Sequence, residues 1–387
     1  MSLRIVVDAR PVDIPFLRRR GIGRFAASLV PELATVATQR GGELVLLRER
    51  GSDGGEFAGG AADLAGARVV RLPRVPVPER VADLPDQLLL PVALRRRRPD
   101  VFGALSMYRL PLAPGVTTVV TMHDVIPLMR PGQLQTGIVH GLLYAAVRRA
   151  DRIIAVSEAG RRDLVAHLDV PAERVDVVHE AAAPQFVPTD PGEVAQRLGV
   201  GEAFVLHVGG ADPRKNLGAL IDAFAAWARE RSRPEVLALA GPVRDVERAD
   251  LEARVGASGG RVVHLGFVAE GDLPALYSAA RCLVMPSSYE GFGLPAVEAL
   301  ACGTPVAAYD TGALAEVAGP GALLVPDGAM AELLGAVERL CDDAELRGRL
   351  AAAGRAHART FSWRRAAEGT WDAYARANRS SSLDRRT

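Results

Sequence analysis

Short runs of β-branched and other apolar residues alternate along this chain with longer stretches whose apolar positions recur every three or four residues. The runs read as strands: Arg4–Val7, Leu44–Leu47, Thr117–Thr121, Arg152–Val156 and Val175–His179, then Phe204–Val208, Val236–Ala240, Arg261–Leu265, Cys282–Met285 and Pro305–Ala308. The periodic stretches Gly23–Thr38, Gly137–Arg149, Leu217–Arg229 and Ala329–Cys341 read as amphipathic helices. Strand–helix alternation of this kind implies parallel sheets covered by helices on both faces. It occurs twice, and the stretch Ala181–Pro191 between the two series has three prolines and no periodicity, as a linker would. The expected architecture is α/β, with two doubly wound, Rossmann-like domains over residues 1–184 and 197–360 that face a cleft. In such sheets ligands bind beyond the carboxyl ends of the strands. Gly51–Gly60 is a flexible loop by composition, and the tail beyond Asn378 is expected to be disordered.

A length of 387 residues fits two domains, and 49% hydrophobic content suffices for two cores. The net charge of +1 leaves no global basic field, which argues against nucleic acid as a partner. Cys282, Cys302 and Cys341 are odd in number and lack metal-ligand spacing, so a reduced, cytoplasmic compartment is expected. The apolar start is too short for a signal peptide, and no run reaches the roughly 18 apolar residues of a membrane span. Of the 47 basic residues only Lys215 is lysine, a bias typical of a GC-rich and, by expectation, bacterial genome. A lysine kept against that bias suits a site that needs one compact cation near a phosphate.

Five places at strand ends or helix starts carry candidate chemistry. Gly21 and Gly23, in Arg20-Gly21-Ile22-Gly23-Arg24, precede a helical pattern and would let backbone approach an anion, or form an ordinary turn. His123, after the strand Thr117–Thr121, can exchange hydrogen bonds with a substrate hydroxyl, while Asp124 sets its tautomer or caps the next segment of chain. Arg214 and Lys215 open a helix and can neutralise a diphosphate. In Glu290-Gly291-Phe292-Gly293-Leu294-Pro295-Ala296-Val297-Glu298 the glycines free backbone amides, and Pro295 suits a first helical turn. A carboxylate beside phosphate repels it, so Glu290 and Glu298 are expected to accept hydrogen bonds from hydroxyls of a sugar or ribose. Gly266-Phe267-Val268 offers a backbone edge and an apolar contact to a base, or plain core. No Asp-x-Asp pair, Walker motif, paired-His site or Gly-x-Ser-x-Gly elbow is present, so no metal is expected.

With these residues in place, nearly the whole chain resembles the retaining glycosyltransferases of family 4, which have the GT-B fold. The most specific match is the Glu-seven-residues-Glu motif, Glu290 through Glu298, with its Gly-Phe-Gly-Leu-Pro core. The resemblance implies that Glu290 binds donor-sugar hydroxyls and Glu298 the ribose. It implies that Gly291, Phe292, Gly293 and Leu294 bring amides to sugar and phosphate, and that Arg214 and Lys215 hold the pyrophosphate. Many members place the arginine several residues earlier, where this chain has Gly210. His123 matches the family histidine near the sugar's 6-hydroxyl, and Gly21-Ile22-Gly23 matches a loop that closes over phosphate and acceptor. A helix over residues 363–377 is expected to pack back on the N-terminal domain, and closure about residues 184–196 to assemble the site.

Asp8-Ala9-Arg10-Pro11 followed by Gly-Ile-Gly-Arg is similar to a mannosyltransferase-like branch, which makes GDP-mannose the first candidate donor. No cofactor beyond that substrate is implied. A sugar-nucleotide epimerase, a glycoside phosphorylase and a non-catalytic sugar-nucleotide-binding protein share this architecture and stand as alternatives. The acceptor hydroxyl could belong to a saccharide, a lipid-linked precursor or a small natural product. The runs Arg18–Arg20 and Arg95–Arg98 read as solvated loops, or as a peripheral contact with the inner face of the membrane.

Overall fold

The computed structural model describes residues 2–14, 17, 21–51, 64, 66–75, 84–108, 110–129, 138–192, 194–201, 203–210, 212–243 and 245–384. Arg18–Arg20 and residues 52–60 of the expected loop lie outside the described residues. The chain divides into two compact units, Met1–Glu180 with Ser362–Thr387, and Ala181–Phe361. It therefore leaves the first unit after Glu180 and re-enters it at Ser362.

The first unit is built on β1 (Arg4–Asp8), β2 (Glu43–Glu49), β3 (Ala67–Leu72), β4 (Val101–Ala104), β5 (Thr118–Met122), β6 (Arg152–Ala155) and β7 (Val175–Val177). All pairs are parallel, in the order β3-β2-β1-β4-β5-β6-β7. The order reverses between β1 and β4, the signature of a doubly wound sheet. Val6, Phe102, Val120 and Ile153, from four neighbouring strands, are fully buried in one core. Helices α1 (Gly21–Gln39), α2 (Asp86–Arg97), α3 (Ile138–Arg149) and α4 (Glu158–Leu168) accompany the strands. The C-terminal helix, Trp363–Asp384, belongs to the same unit and packs on α1.

The second unit repeats the plan with β8 (Phe204–Val208), β9 (Val236–Ala240), β10 (Val262–Gly266), β11 (Leu283–Met285), β12 (Val306–Tyr309) and β13 (Ala322–Val325). The order is β10-β9-β8-β11-β12-β13, all parallel, with the reversal between β8 and β11. Its helices include α5 (Leu217–Glu230), α6 (Asp245–Ala257), α7 (Leu273–Ala279), α8 (Leu294–Ala301), α9 (Met330–Asp342) and α10 (Ala344–Ala358). Leu220, Ile221 and Phe224 of α5 and Leu333 and Val337 of α9 meet Val205, Leu237 and Val284 of the sheet. Both sheets and their helices have the doubly wound form that the alternation predicts.

Three local expectations are corrected. Gly21 and Gly23 do not form a loop before a helix but lie inside α1. Phe25, Leu29, Leu33 and Val36 bury one side of α1, and that burial outweighs the roughly 1 kcal/mol per glycine lost in a helix. Arg95–Arg97 form the last turn of α2, which ends at Arg98 in the left-handed conformation, so this run is a helix end and not a loop. The tail beyond Asn378 is not disordered through residue 384: the C-terminal helix continues to Asp384, where extending a formed helix gains one bond per residue fixed.

Candidate functional site

The two loops at the β8/β11 reversal are tied to each other before any ligand is considered. After β8, Pro213–Lys215 makes a single 3-10 turn capped by Asp212, whose side chain accepts from the Arg214 amide. Asn216 then takes a left-handed conformation and α5 begins, so the two cations precede the helix and do not sit within it. Asn216 Nδ2 donates to the Pro286 carbonyl at 2.8 Å, and the Ser288 amide donates to the Arg214 carbonyl at 2.8 Å. On the other side, Thr311 Oγ1 donates to Ser287 O and the Ala313 amide to Glu290 O, at 2.7 and 2.9 Å. A Cβ at Gly312 would collide with the Glu290 backbone, so only glycine lets this loop lie so close.

This scaffold brings three predicted residues together. Lys215 Nζ donates to Glu290 Oε1 at 2.9 Å, and Arg214 Nη1 donates to Glu290 Oε2 at 3.1 Å and to the Tyr289 carbonyl at 2.9 Å. Lys215 is 8% exposed and Glu290 6%, so both charges are largely withdrawn from water. Gly209 makes room for the lysine, since a Cβ there would come within 3.0–3.2 Å of its side-chain end. Burial pushes the Glu290 carboxyl up, but Lys215 and Arg214 outweigh it and hold the pKa down to about 2. Buried cations need a counter-charge, and this carboxylate supplies it to both.

Glu298 lies in α8, one helical turn beyond its left-handed start at Gly293, and is fully buried. Tyr277 of α7 donates its hydroxyl to Glu298 Oε2 at 3.1 Å. The Phe292 ring turns inward against Phe361, so its contribution to a ligand would be through backbone. Gly291, Gly293 and Leu294 are buried beside it. After β10, Val268 is buried whereas Phe267 is 67% exposed, at the carboxyl edge of the sheet.

In the first unit His123 follows β5. Its Nδ1 lies 2.9 Å from Glu180 Oε1 and its Nε2 3.0 Å from the Leu105 carbonyl. Both partners are acceptors in their ordinary states, an arrangement fully satisfied when both ring nitrogens carry protons. Burial opposes that charge, but the hydrogen bond and charge of Glu180, the Leu105 carbonyl and the charge of Asp124 raise the pKa above the ordinary value. Asp124 Oδ1 accepts from the Ile126 amide at 3.1 Å and so caps the next turn.

Two family models match the chain: "Glycosyltransferase Family 4" over residues 19–185 and "Glycosyl transferases group 1" over residues 193–357. O-antigen chain mannosyltransferase B of Escherichia coli is 31% identical over 265 residues, 66% of this chain and 69% of that protein. The chain belongs to glycosyltransferase family 4. A 2-deoxystreptamine glucosyltransferase of Streptomyces kanamyceticus is 34% identical over 59% of this chain and 62% of that protein. Sucrose-phosphate synthase from Thermosynechococcus elongatus has the same GT-B fold, with a TM-score of 0.77 over 97% of this chain and 99% of that one at 22% identity. The protein is a glycosyltransferase with two parallel α/β sheets.

Sequence reasoning about this glycosyltransferase missed several residues that hold the candidates in place. Glu180 follows the strand Val175–His179 directly, a strand-end acid that could have been singled out by the same rule as His123. Tyr277 and Gly209 carry no comparable signal, because their roles depend on pairing across the fold. His207, in β8, donates through Nδ1 to Val284 O at 3.0 Å, and burial together with nearby Lys215 lowers its pKa to about 4. A neutral histidine thus backs the lysine without adding a competing cation.

Proposed function

We propose that this glycosyltransferase moves a hexose from a nucleoside diphosphate sugar to a hydroxyl acceptor, with retention of anomeric configuration and without a metal ion. The observation that carries the reading is the Arg214–Glu290–Lys215 cluster at the β8/β11 reversal. Asp212 lies 3.5 Å from Arg214 Nε as a second, more distant counter-charge, and the two cations held in this largely dry site act strongly on a diphosphate. Amides at the start of α8 add to it. The Glu290 carboxylate beside them accepts from sugar hydroxyls, and Glu298 serves the ribose. His123 serves a donor-sugar hydroxyl. Val268 and the exposed Phe267 serve the base.

In the reaction the bond between the anomeric carbon and the diphosphate oxygen breaks, and its electron pair stays on that oxygen. The acceptor oxygen bonds the anomeric carbon from the same face, and its proton passes to the departing diphosphate. The protein contributes position and charge stabilisation. The metal-free reading is supported by Arg214 and Lys215, whose charges can neutralise the diphosphate as a divalent ion would. GDP-mannose is the first candidate donor, supported by the Asp8-Ala9-Arg10-Pro11 start and by the mannosyltransferase relative. Melting curves with GDP, UDP, ADP and dTDP read the base directly, since a saturating ligand at about 100 times its Kd adds about 2.7 kcal/mol. Incubation with the preferred sugar nucleotide and a saccharide acceptor in excess EDTA should give an α-linked product from an α-linked donor by NMR. Inversion, or conversion of the sugar nucleotide with no acceptor present, overturns the reading.

A peripheral contact with the cytoplasmic face of an anionic bilayer belongs to the same proposal, for a lipid-linked acceptor. Among the described residues no helix is long and apolar enough to cross a membrane. On α2, Leu88 and Val92 are exposed one turn apart, Leu88 at 77%, and exposed Arg95 and Arg96 follow one turn later. Arg68 and Arg71 of β3 are exposed too. Apolar side chains followed by arginines fit an acyl and headgroup boundary, with about 1 kcal/mol per basic residue at an anionic surface. Sedimentation with vesicles should rise with the phosphatidylglycerol fraction and fall in Leu88→Ser and in Arg95→Gln with Arg96→Gln; indifference to anionic lipid dismisses the contact.

A further inference from the structure

The histidine at the end of β5 is held more firmly than a substrate ligand alone requires. Its ring is gripped at Nδ1 by Glu180 and at Nε2 by the Leu105 carbonyl, and it makes a T-shaped contact with Phe25 from α1, ring centroids 4.7 Å apart. Glu180 is the last residue of the first unit before the chain passes into the second. It is itself placed by Val178, whose amide donates to Ala155 O of β6 and whose side chain lies against Gly369 of the C-terminal helix. Phe25 in turn meets Trp363 at 5.7 Å, and Trp363 stands one residue beyond the point where the chain returns. The passage out of this unit thus carries a residue bonded to the imidazole, and the passage into it carries one that packs on Phe25, the ring's aromatic neighbour.

We propose that Glu180 is a positioning residue for sugar transfer: it locks the His123 ring through Nδ1–H so that the ring works as a charged hydrogen-bond donor at Nε2 and never as a base. The inference rests on the reading that His123 serves the transfer reaction. A ring whose two nitrogens both face acceptors has no lone pair to take a proton from the acceptor hydroxyl. On donor binding, the Nε2–H bond passes from the Leu105 carbonyl to a substrate oxygen, a neutral acceptor exchanged for a substrate one, while the bond to Glu180 stays. The groups that face the ring are Glu180 after β7, Asp124 on its own loop, the Leu105 carbonyl after β4 and the uncharged Phe25 ring from α1. Two carboxylates set its field, so loss of Glu180 lowers the affinity of the ring for its proton.

The test combines NMR titration of the His123 ring with steady-state kinetics across pH. In the unaltered enzyme the ring should stay protonated above the ordinary histidine value of about 6.5. Glu180→Gln should move that titration to lower pH and carry the alkaline limb of kcat/KM with it. The same substitution should reduce kcat at least about tenfold with donor KM within about twofold, the split expected of a group acting in the transition state. Glu180→Asp, which keeps the charge, should restore the titration in part. A ring that titrates below its ordinary value in the unaltered protein overturns the proposal without any variant, whatever the stability of Glu180→Gln. So does a Glu180→Gln enzyme with unchanged kcat and pH profile while His123→Ala is impaired. Full turnover in His123→Ala removes the histidine from the transfer reaction and overturns the positioning role of Glu180 with it, an outcome told apart from failure of the pairing alone by the normal His123→Ala rate.

Discussion

One carboxylate between two cations decides what the second unit does with charge. Glu290 has its pKa lowered to about 2 against an ordinary 4.5, so its contribution to stability is complete above pH 4.5 and is lost as pH falls through about 2. Glu290→Gln removes the counter-charge of Lys215 and Arg214 at neutral pH, where uncoupling a buried pair costs about 3 kcal/mol. The expected result is a large drop in denaturation midpoint at pH 7 that shrinks as pH falls toward 2 and vanishes below it, where the unaltered glutamate is itself protonated. A constant difference across that window would mean that packing, and not charge, is what the substitution removes. The same variant should bind the nucleoside diphosphate alone more tightly, because Glu290 no longer competes for the cations and only the more distant Asp212 remains beside Arg214, yet transfer sugar more slowly. Lys215→Ala removes the compact cation itself, and kcat/KM should fall by about two decades, in line with the roughly 3 kcal/mol of one charge-stabilising group; a near-normal value would take Lys215 out of the mechanism.

Elements were legible in the sequence where composition was uniform and obscure where tertiary contact substitutes for it. Phe204–Val208 and Val236–Ala240 coincide with β8 and β9 residue for residue, because central parallel strands are continuous apolar runs. β3 was not visible: Ala67–Leu72 has an arginine on either side of a short Val-Val pair at an exposed sheet edge. β13, Ala-Leu-Leu-Val, lacks β-branched weight until its last residue. β4 was hidden by Gly103, which breaks the run Val101–Ala104 for a reason found far away. A Cβ at Gly103 would strike the ring end of Tyr374 on the C-terminal helix, a side chain that is itself buried. The candidate site shows the same division. Arg214, Lys215 and Glu290 stand out as residue types in a recognisable spacing, whereas Glu180 meets His123 across 57 residues of chain, a pairing that neither strand end announces by itself. Gly103→Ala should therefore destabilise the first unit by about 1–3 kcal/mol through overpacking. Adding Tyr374→Phe withdraws the oxygen closest to the new methyl, so the pair should recover part of that loss in a double-mutant cycle. Strict additivity of the two changes would show that the strand and the helix are not coupled there.

At the scale of the whole molecule the last residues in the sequence are structurally part of the first unit. Trp371 lies against Gly42, and Trp363, Trp371, Tyr374 and Ala367 are buried, all from the C-terminal helix. The three tryptophans of the chain are divided accordingly: Trp363 and Trp371 in the first unit, Trp227 in the core of the second. Truncation after Phe361 removes three large buried aromatic side chains, each of which is worth about 3–5 kcal/mol when lost from a core. Their sum exceeds most or all of the 5–15 kcal/mol by which a domain is stable, so the first unit should not stay folded without its C-terminal helix. The second unit, Ala181–Phe361, loses none of its core and should retain a cooperative transition. The truncated chain contains only Trp227, so its fluorescence reports the second unit alone. The expected outcome is a preserved Trp227 transition with a nucleotide-dependent midpoint, set against a far-ultraviolet signal that has lost the first unit's share of helix and strand. A truncated chain with undiminished secondary structure would show that Met1–Glu180 folds without the helix, and that the return of the chain at Ser362 serves the position of Trp363 beside Phe25 and not the stability of the unit.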